Sequence, residues 1–183
     1  MRIIAGDFKG RKLQPPKDYS VRPTTDKVKE AVFSMLAPYV RDACVIDLFG
    51  GSGNLGLEAL SRGAKKCYFG DNSRESIALI RSNVEYCRAQ DRSVICPGDY
   101  KKVLASVRDK ADIILLDPPY KMGLMEGCFE AIRENDLLAE DGVIVAEHGY
   151  REELPDLFEG YVKLKEKKYG SILVSVYGSR EEE

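Results

Sequence analysis

From residue 44 onward, short runs rich in Val and Ile alternate with longer segments whose apolar residues recur at helical spacing. That alternation is the signature of a mostly parallel sheet wrapped by helices. The runs predict strands near 44–48, 66–70, 93–96, 112–116, 142–147, 161–168 and 171–177. The longer segments predict helices over Thr25 to Ala37, Leu55 to Arg62, the stretch after Asn72, Tyr100 to Val107, Leu124 to Arg133, and a shorter one around 151–158. In the third of these, Ile77, Ile80, Val84 and Cys87 form one apolar stripe, and Asn72 with Glu75 three residues on makes a capping pair. Only Tyr169-Gly170-Ser171 separates the last two strands, too little chain for a crossover helix, so they must pair as an antiparallel hairpin. A seven-stranded, mostly parallel α/β sheet with that ending is a Rossmann-like layout, and a fold does not by itself assign a function.

Residues 1–22 stand apart from this alternation. RIIAG and GRKLQ suggest a small hairpin, followed by Pro15-Pro16 and Arg22-Pro23. The expected division is an arm over 1–22 and one domain over 23–183. At 183 residues such a chain can bury a sizeable core. The beginning has no apolar stretch of signal-peptide length and no run is long enough to cross a bilayer, so a cytoplasmic protein is expected. Five scattered cysteines without CxxC spacing read as reduced, packed thiols, with no metal site. His148 is the only histidine, so any mechanism built on a Ser/His/Asp triad would have to run through it. The net charge of -2 conceals eight Lys/Arg against four Asp/Glu in residues 1–30. A basic arm can meet an anion, or can be an ordinary solvated surface.

The segment VIDLFGGSGNLG sets Gly51, Gly53 and Gly56 in a GxGxxG pattern between a strand and a helix. The pattern alone fits dinucleotides and other nucleosides equally. Asp47, four residues before Gly51, separates them: its carboxylate would repel a pyrophosphate but suits the sulfonium and ammonium of S-adenosylmethionine. It can equally brace the loop or cap the helix. Asp71 and Asp99 follow at the ends of the next strands, where a ribose diol and an adenine amine would find acceptors, although a helix cap is also needed at each place.

The strand ADIILL ends in Asp117-Pro118-Pro119-Tyr120. A residue before proline is held extended, and neither proline offers an amide N–H. The tip therefore presents acceptors: the Asp117 carboxylate and the Pro118 carbonyl can each take one N–H of an exocyclic amine, and Tyr120 offers a face for a base to stack on. An amine that becomes positive on alkylation loses its proton readily, so no strong general base is required. Standing alone, DPPY would be a proline-rich turn; the glycine loop at a neighbouring strand end argues for more.

Along nearly its whole length the chain resembles the bacterial small-subunit (16S) ribosomal RNA guanine-N2 methyltransferases of the RsmD type. The resemblance lies in RIIAGDFKGRKL, RPTTDKVKEAVFSML, DLFGGSGNLGLEALSRGA, LLDPPY and KKYGSILVSVY. It implies methyl transfer from S-adenosylmethionine to the N2 amine of one guanine in 16S rRNA, in an assembling small subunit, by a monomer. On that likeness Asp47, Gly51 and Gly53 line the methionine and ribose side of the cofactor, Asp99 and Tyr100 the adenine, and Asp117, Pro118, Pro119 and Tyr120 the target base. Phe49, Asn72, Thr24 and Thr25 join the cofactor side, with Arg22 to Thr25 over the pocket. Where the family usually carries its ribose-binding acid this chain has Gly70, and Asp71 is expected to take its place. The arm residues Arg2, Lys9, Arg11, Lys12 and Arg22 would touch RNA phosphates, and the guanine must be exposed or flipped to reach the site. The competing readings are a DNA adenine or cytosine amino-methyltransferase, for which 183 residues leave little room for a target-recognition region, and a nicotinamide-dependent oxidoreductase or a silent nucleotide-binding module.

Overall fold

A computed structural model describes residues 1–17, 25–119 and 123–179. Its helices are α1 (Asp26–Leu36), α2 (Asn54–Ser61), α3 (Arg74–Tyr86), α4 (Tyr100–Ser106) and α5 (Leu124–Glu134). Its strands are β1 (Cys44–Asp47), β2 (Lys66–Asp71), β3 (Ser93–Pro97), β4 (Ala111–Leu116), β5 (Leu138–Gly149), β6 (Leu157–Phe158), β7 (Tyr161–Tyr169) and β8 (Ile172–Ser179). They form one sheet in the order β3-β2-β1-β4-β5-β8-β7-β6, parallel from β3 to β5 and antiparallel beyond.

The sheet has eight strands where the pattern predicts seven, because a strand replaces the short helix expected around 151–158. Pro155 disfavours helix at Leu154 before it. Glu159 (φ 49) and Gly160 (φ 86) then make a two-residue turn with both φ positive, which returns Leu157–Phe158 onto Tyr161–Val162 as a tight hairpin.

Strand order reverses about β1 and β4, which opens a crevice at their carboxyl ends. The register shows what faces it. Val45, Phe69, Leu115, Val145 and Val176 belong to the core under α1, α2 and α3. The alternate residues Ile46, Tyr68, Ile114, Ile144 and Tyr177 pack under α4 and α5, where the Phe129 ring meets Tyr177 edge-on at 4.9 Å.

The amino-terminal segment turns back on itself through an Arg2–Lys12 bridge, with Ile3 N–H bonded to Arg11 O and Leu13 N–H to Met1 O. Its Ile3, Phe8 and Leu13 are buried in the same core as α1, α2 and α3. A polar clamp fixes it there. The Glu58 carboxylate of α2 accepts the amides of Ile4 (2.8 Å) and Ala5 (3.2 Å) and pairs with Lys29 (3.0 Å) and Arg62 (2.9 Å). The Lys29 ammonium spends its other two protons on Arg2 O (2.6 Å) and Asn54 Oδ1 (2.8 Å). Burial holds the Lys29 pKa below its ordinary value against the pull of Glu58. Burial pushes the Glu58 carboxyl up, but the Ile4 amide, Arg62 and Lys29 outweigh it and leave the group below its usual range.

Both Lys29 and Glu58 are fully buried; Glu58 keeps Arg62 if Lys29 is removed, but Lys29 loses its carboxylate if Glu58 is removed. Glu58→Met is expected to cost about 3–5 kcal/mol in urea unfolding. Arg2→Ala, which breaks only the exposed pair with Asp26, should cost less than about 1 kcal/mol.

Candidate functional site

The chain leaves β1 at Asp47 and enters α2 through Leu48-Phe49-Gly50-Gly51-Ser52-Gly53. Gly50 N–H bonds to Gly70 O at 2.7 Å, and Gly53 N–H to Gly50 O at 2.7 Å. Gly51 (φ +60) has no atom within 4 Å of where a Cβ would stand, so the loop leaves an open backbone cradle. Gly56 is different: a Cβ there would strike the Phe69 ring and approach Cys67 Sγ to 2.8 Å, so only glycine lets α2 lie this close to β2.

Four acids stand on one face of the sheet at this end. Asp47 is level with Phe69 of β2 and Leu115 of β4. Asp71, two residues beyond Phe69, and Asp117, two beyond Leu115, therefore share its face. Leu115 pairs with Val145, which puts Glu147 of β5 beside Asp117. The row across β2, β1, β4 and β5 is thus Asp71, Asp47, Asp117, Glu147.

The acids feel one another. Asp47 is 2% exposed; burial first, and then the Asp117 and Asp71 carboxylates, push its pKa up to about 7 against the Gly56 amide, which holds Asp47 Oδ2 at 3.0 Å. Burial and the Glu147 carboxylate raise Asp117 well above the usual carboxylate range. Asp71 accepts the Gly51 amide on Oδ2 (3.0 Å) and the Ser73 amide on Oδ1 (2.9 Å), tying β2 to the glycine loop. Among the described residues no group of three or more His, Cys, Asp or Glu is placed to hold a metal ion. An acidic row, buried at Asp47 and Glu147 and partly exposed at Asp71 and Asp117, beside an open backbone cradle fits an organic ligand that brings positive charge.

Asp117 and Pro118 are partly buried and Pro119 is exposed at the tip beyond β4, a position without proline amides to extend the sheet. Tyr120, Arg22 and Thr24 lie outside the described residues. Asp99 caps α4, its Oδ1 accepting Lys102 N–H at 2.8 Å. The Tyr100 hydroxyl occupies the space a side chain at Gly127 of α5 would need. Thr25 caps α1 by accepting Val28 N–H at 3.3 Å. Phe49 packs on the core under α4 and α5. Asn72 does not cap α3: Ser73 does, its hydroxyl accepting Ser76 N–H at 3.3 Å, because the Asp71–Ser73 bond starts the helix one residue later. A Cβ at Gly70 would stand 2.7 Å from Val103 and 3.0 Å from Leu48 O, on the face away from the acids, so the acid that reaches the loop here is Asp71.

In the arm, Lys9 and Lys12 are exposed, and Arg2 is exposed but paired with Asp26. Arg11 is turned inward: its Nη1 donates to Cys87 O at 3.0 Å and its guanidinium lies 5.0 Å over the Phe8 ring. His148 is buried between Glu152 O (2.7 Å) and Ser175 Oγ (2.8 Å), and Ser175 is itself inaccessible with its hydroxyl donated to Glu166. No nucleophile is presented there. All five cysteines are free, four of them buried.

Sequence reasoning passed over Glu147, whose signal was its place two residues after Val145 in VIVAEH. It also passed over Lys29, Asn54 and Asn83. Asn83 Nδ2 donates to Ser52 O (2.8 Å) in the glycine loop and to Gln14 O (3.1 Å) in the arm, while its Oδ1 accepts Gln14 N–H (2.9 Å).

The family described as Conserved hypothetical protein 95 matches residues 1–178. The chain is 39% identical over 183 residues to the Bacillus subtilis protein named "Putative rRNA methyltransferase YlbH", covering 98% of this chain and all of that one. It is 34% identical over 177 residues to "Ribosomal RNA small subunit methyltransferase D" of Escherichia coli, covering 97% and 89%. The solved structure of the Escherichia coli "Putative methyltransferase yhhF" superposes with a TM-score of 0.87 at 32% identity, over 97% and 96% of the two chains.

A carboxyl whose pKa rises on folding from 3.8 to about 7 favours the folded state fully only below the lower value. That contribution declines as pH rises between the two, and above about 7 the folded protein bears the whole cost of an ionised, buried Asp47. Asp47→Asn keeps an acceptor for Gly56. Its Tm should exceed that of the parent at pH 8, and the difference should shrink as the pH is lowered through 7 toward 4.

Proposed function

The chain belongs to the Conserved hypothetical protein 95 family, that of the ribosomal RNA small subunit methyltransferases D, and on that premise we propose that it methylates the exocyclic N2 amine of one guanine in 16S rRNA, with S-adenosylmethionine as donor. The observation that carries the reading is the acceptor-only tip Asp117-Pro118-Pro119 standing at the strand next to a buried acidic pocket and an open glycine cradle. When bound, S-adenosylmethionine supplies an electrophilic methyl group on a sulfonium.

Asp47, Gly51 and Gly53 would hold its methionine and ribose side, with Asp71 bracing the loop and facing the ribose. Asp99 and Tyr100 would border the adenine, and Phe49, Asn72, Thr24 and Thr25 complete the cofactor side. Positive charge in the pocket favours the ionised form of Asp47, so Asp47 binds by giving up the proton it otherwise retains up to about pH 7.

The Asp117 carboxyl and the Pro118 carbonyl accept the two N–H groups of the guanine amine and aim its nitrogen lone pair toward the cofactor crevice. Tyr120 stacks on the base. The raised pKa of Asp117 suits its carboxylate to take the proton that the alkylated nitrogen sheds, so turnover should rise with pH as Asp117 ionises. Most of the acceleration comes from alignment at close approach. Arg2, Lys9, Lys12 and Arg22 would meet RNA phosphates; Arg11, turned inward, would contribute through the shape of the arm. The reading has a cytoplasmic monomer acting on an assembling small subunit. No helix among the described residues is long and apolar enough to cross a membrane.

Mass spectrometry of 16S rRNA from cells lacking the protein should show one N2-methylguanosine missing, restored by the parent gene; an unchanged nucleoside profile contradicts the assignment. Asp117→Ala should lower kcat by about a hundredfold or more, the scale for losing one preorganised polar contact. Its calorimetric affinity for S-adenosylhomocysteine should stay within about twofold of the parent, since the group faces the base.

A further inference from the structure

We propose that β7 is a second RNA-contact surface, in which Lys165 and Lys167 hold phosphates on the flank of the site opposite the amino-terminal arm. The inference rests on the rRNA reading above.

The segment Tyr161–Tyr169 carries four lysines against one glutamate, in a chain whose net charge is -2. Lys163 is committed within the protein, to Glu166 (2.7 Å) and the Leu154 carbonyl (2.7 Å). Lys165 and Lys167 are exposed and form no ion pair among the described residues.

Their direction follows from register. Lys165 pairs with Val176 and Lys167 with Val174, both in the core on the face of the acidic row. Val174 pairs in turn with Glu147, the neighbour of Asp117. Lys167, Val174, Glu147 and Asp117 thus occupy one rank across β7, β8, β5 and β4. Three strand spacings put Lys167 about 14 Å from Asp117, a reach of two or three nucleotides. The arm packs on α2 and α3, which cover β1, β2 and β3 on the other side. RNA that touched both flanks would cross the strand tips between them.

Lysines on an exposed edge strand also guard against edge-to-edge pairing, and β6 covers only Tyr161 and Val162. Charge reversal separates the two roles, because glutamate guards an edge as lysine does but repels phosphate. Lys168 supplies the comparison. It pairs with Leu173, on the opposite face, and its ammonium lies 5.0 Å over the Tyr150 ring.

The experiment measures methylation kinetics and salt-dependent binding with 16S rRNA from cells lacking the protein, presented both within assembling small-subunit particles and as extracted RNA. Lys165→Glu/Lys167→Glu should stay monodisperse and keep its S-adenosylhomocysteine affinity. Its KM for RNA should rise about tenfold with kcat retained, and its slope of log affinity against log salt should fall by about 1.5, as for two lost phosphate contacts. Lys168→Glu should match the parent. Unchanged KM and salt slope in the double variant, or an equal loss in Lys168→Glu, overturns the proposal while leaving the rRNA reading standing. A parent protein that methylates no such RNA overturns that reading, and this inference with it.

Discussion

Carboxyl groups crowded on one face of a sheet repel one another, and a fold keeps such an arrangement only if something else fixes their positions. Here parallel strand register does so. Asp71, Asp47 and Glu147 lie on three of four adjacent strands and Asp117 directly follows the fourth, β4, so the ladder hydrogen bonds of the sheet set how closely the acids approach. Burial first, and then the neighbouring carboxylates, hold the pKa values of Asp47 and Asp117 above the usual carboxylate range. A sulfonium or ammonium entering this row removes the repulsion, whereas a pyrophosphate adds to it. The same electrostatics therefore favour a ligand that brings positive charge.

The glycine loop that borders the row is held from the arm side as well. Lys29 bonds to Asn54 at the start of α2 and to the Arg2 carbonyl, and Asn83 joins Ser52 to Gln14. The basic amino-terminal segment is in this way tied by hydrogen bonds to the glycine loop. Glu58 is the centre of that wiring, since its two oxygens satisfy two arm amides and two cations at once. A half-satisfied cluster of this kind would be worse than an apolar one.

The parallel order of the early strands, the terminal hairpin and the glycine loop were legible in the sequence because each rests on local rules: periodicity, a loop too short for a crossover, and glycines at fixed offsets. The eighth strand was not, since Leu157–Phe158 is two residues long and only the positive-φ turn at Glu159-Gly160 creates it. Asn72 reads as the cap in one dimension, and Asp71's bond to the Ser73 amide moves the start of the helix to Ser73. The inward turn of Arg11 was equally hidden, because its partners, Phe8 and the Cys87 carbonyl, are set by tertiary packing. Of the roles the sequence left open for Asp47, the structure shows the bracing one, through the Gly56 amide at the start of α2. Glu147 became visible only once the β4–β5 register placed it beside Asp117.

The most direct test is a carbon-13 NMR titration of the Asp47 side-chain carboxyl, free and with the cationic S-adenosylmethionine analogue sinefungin. The account predicts a midpoint near pH 7 in the free protein, falling by one unit or more, about 1.4 kcal/mol or more, when the analogue is bound. A midpoint near 4 in the free protein, or one that the analogue leaves in place, would contradict it.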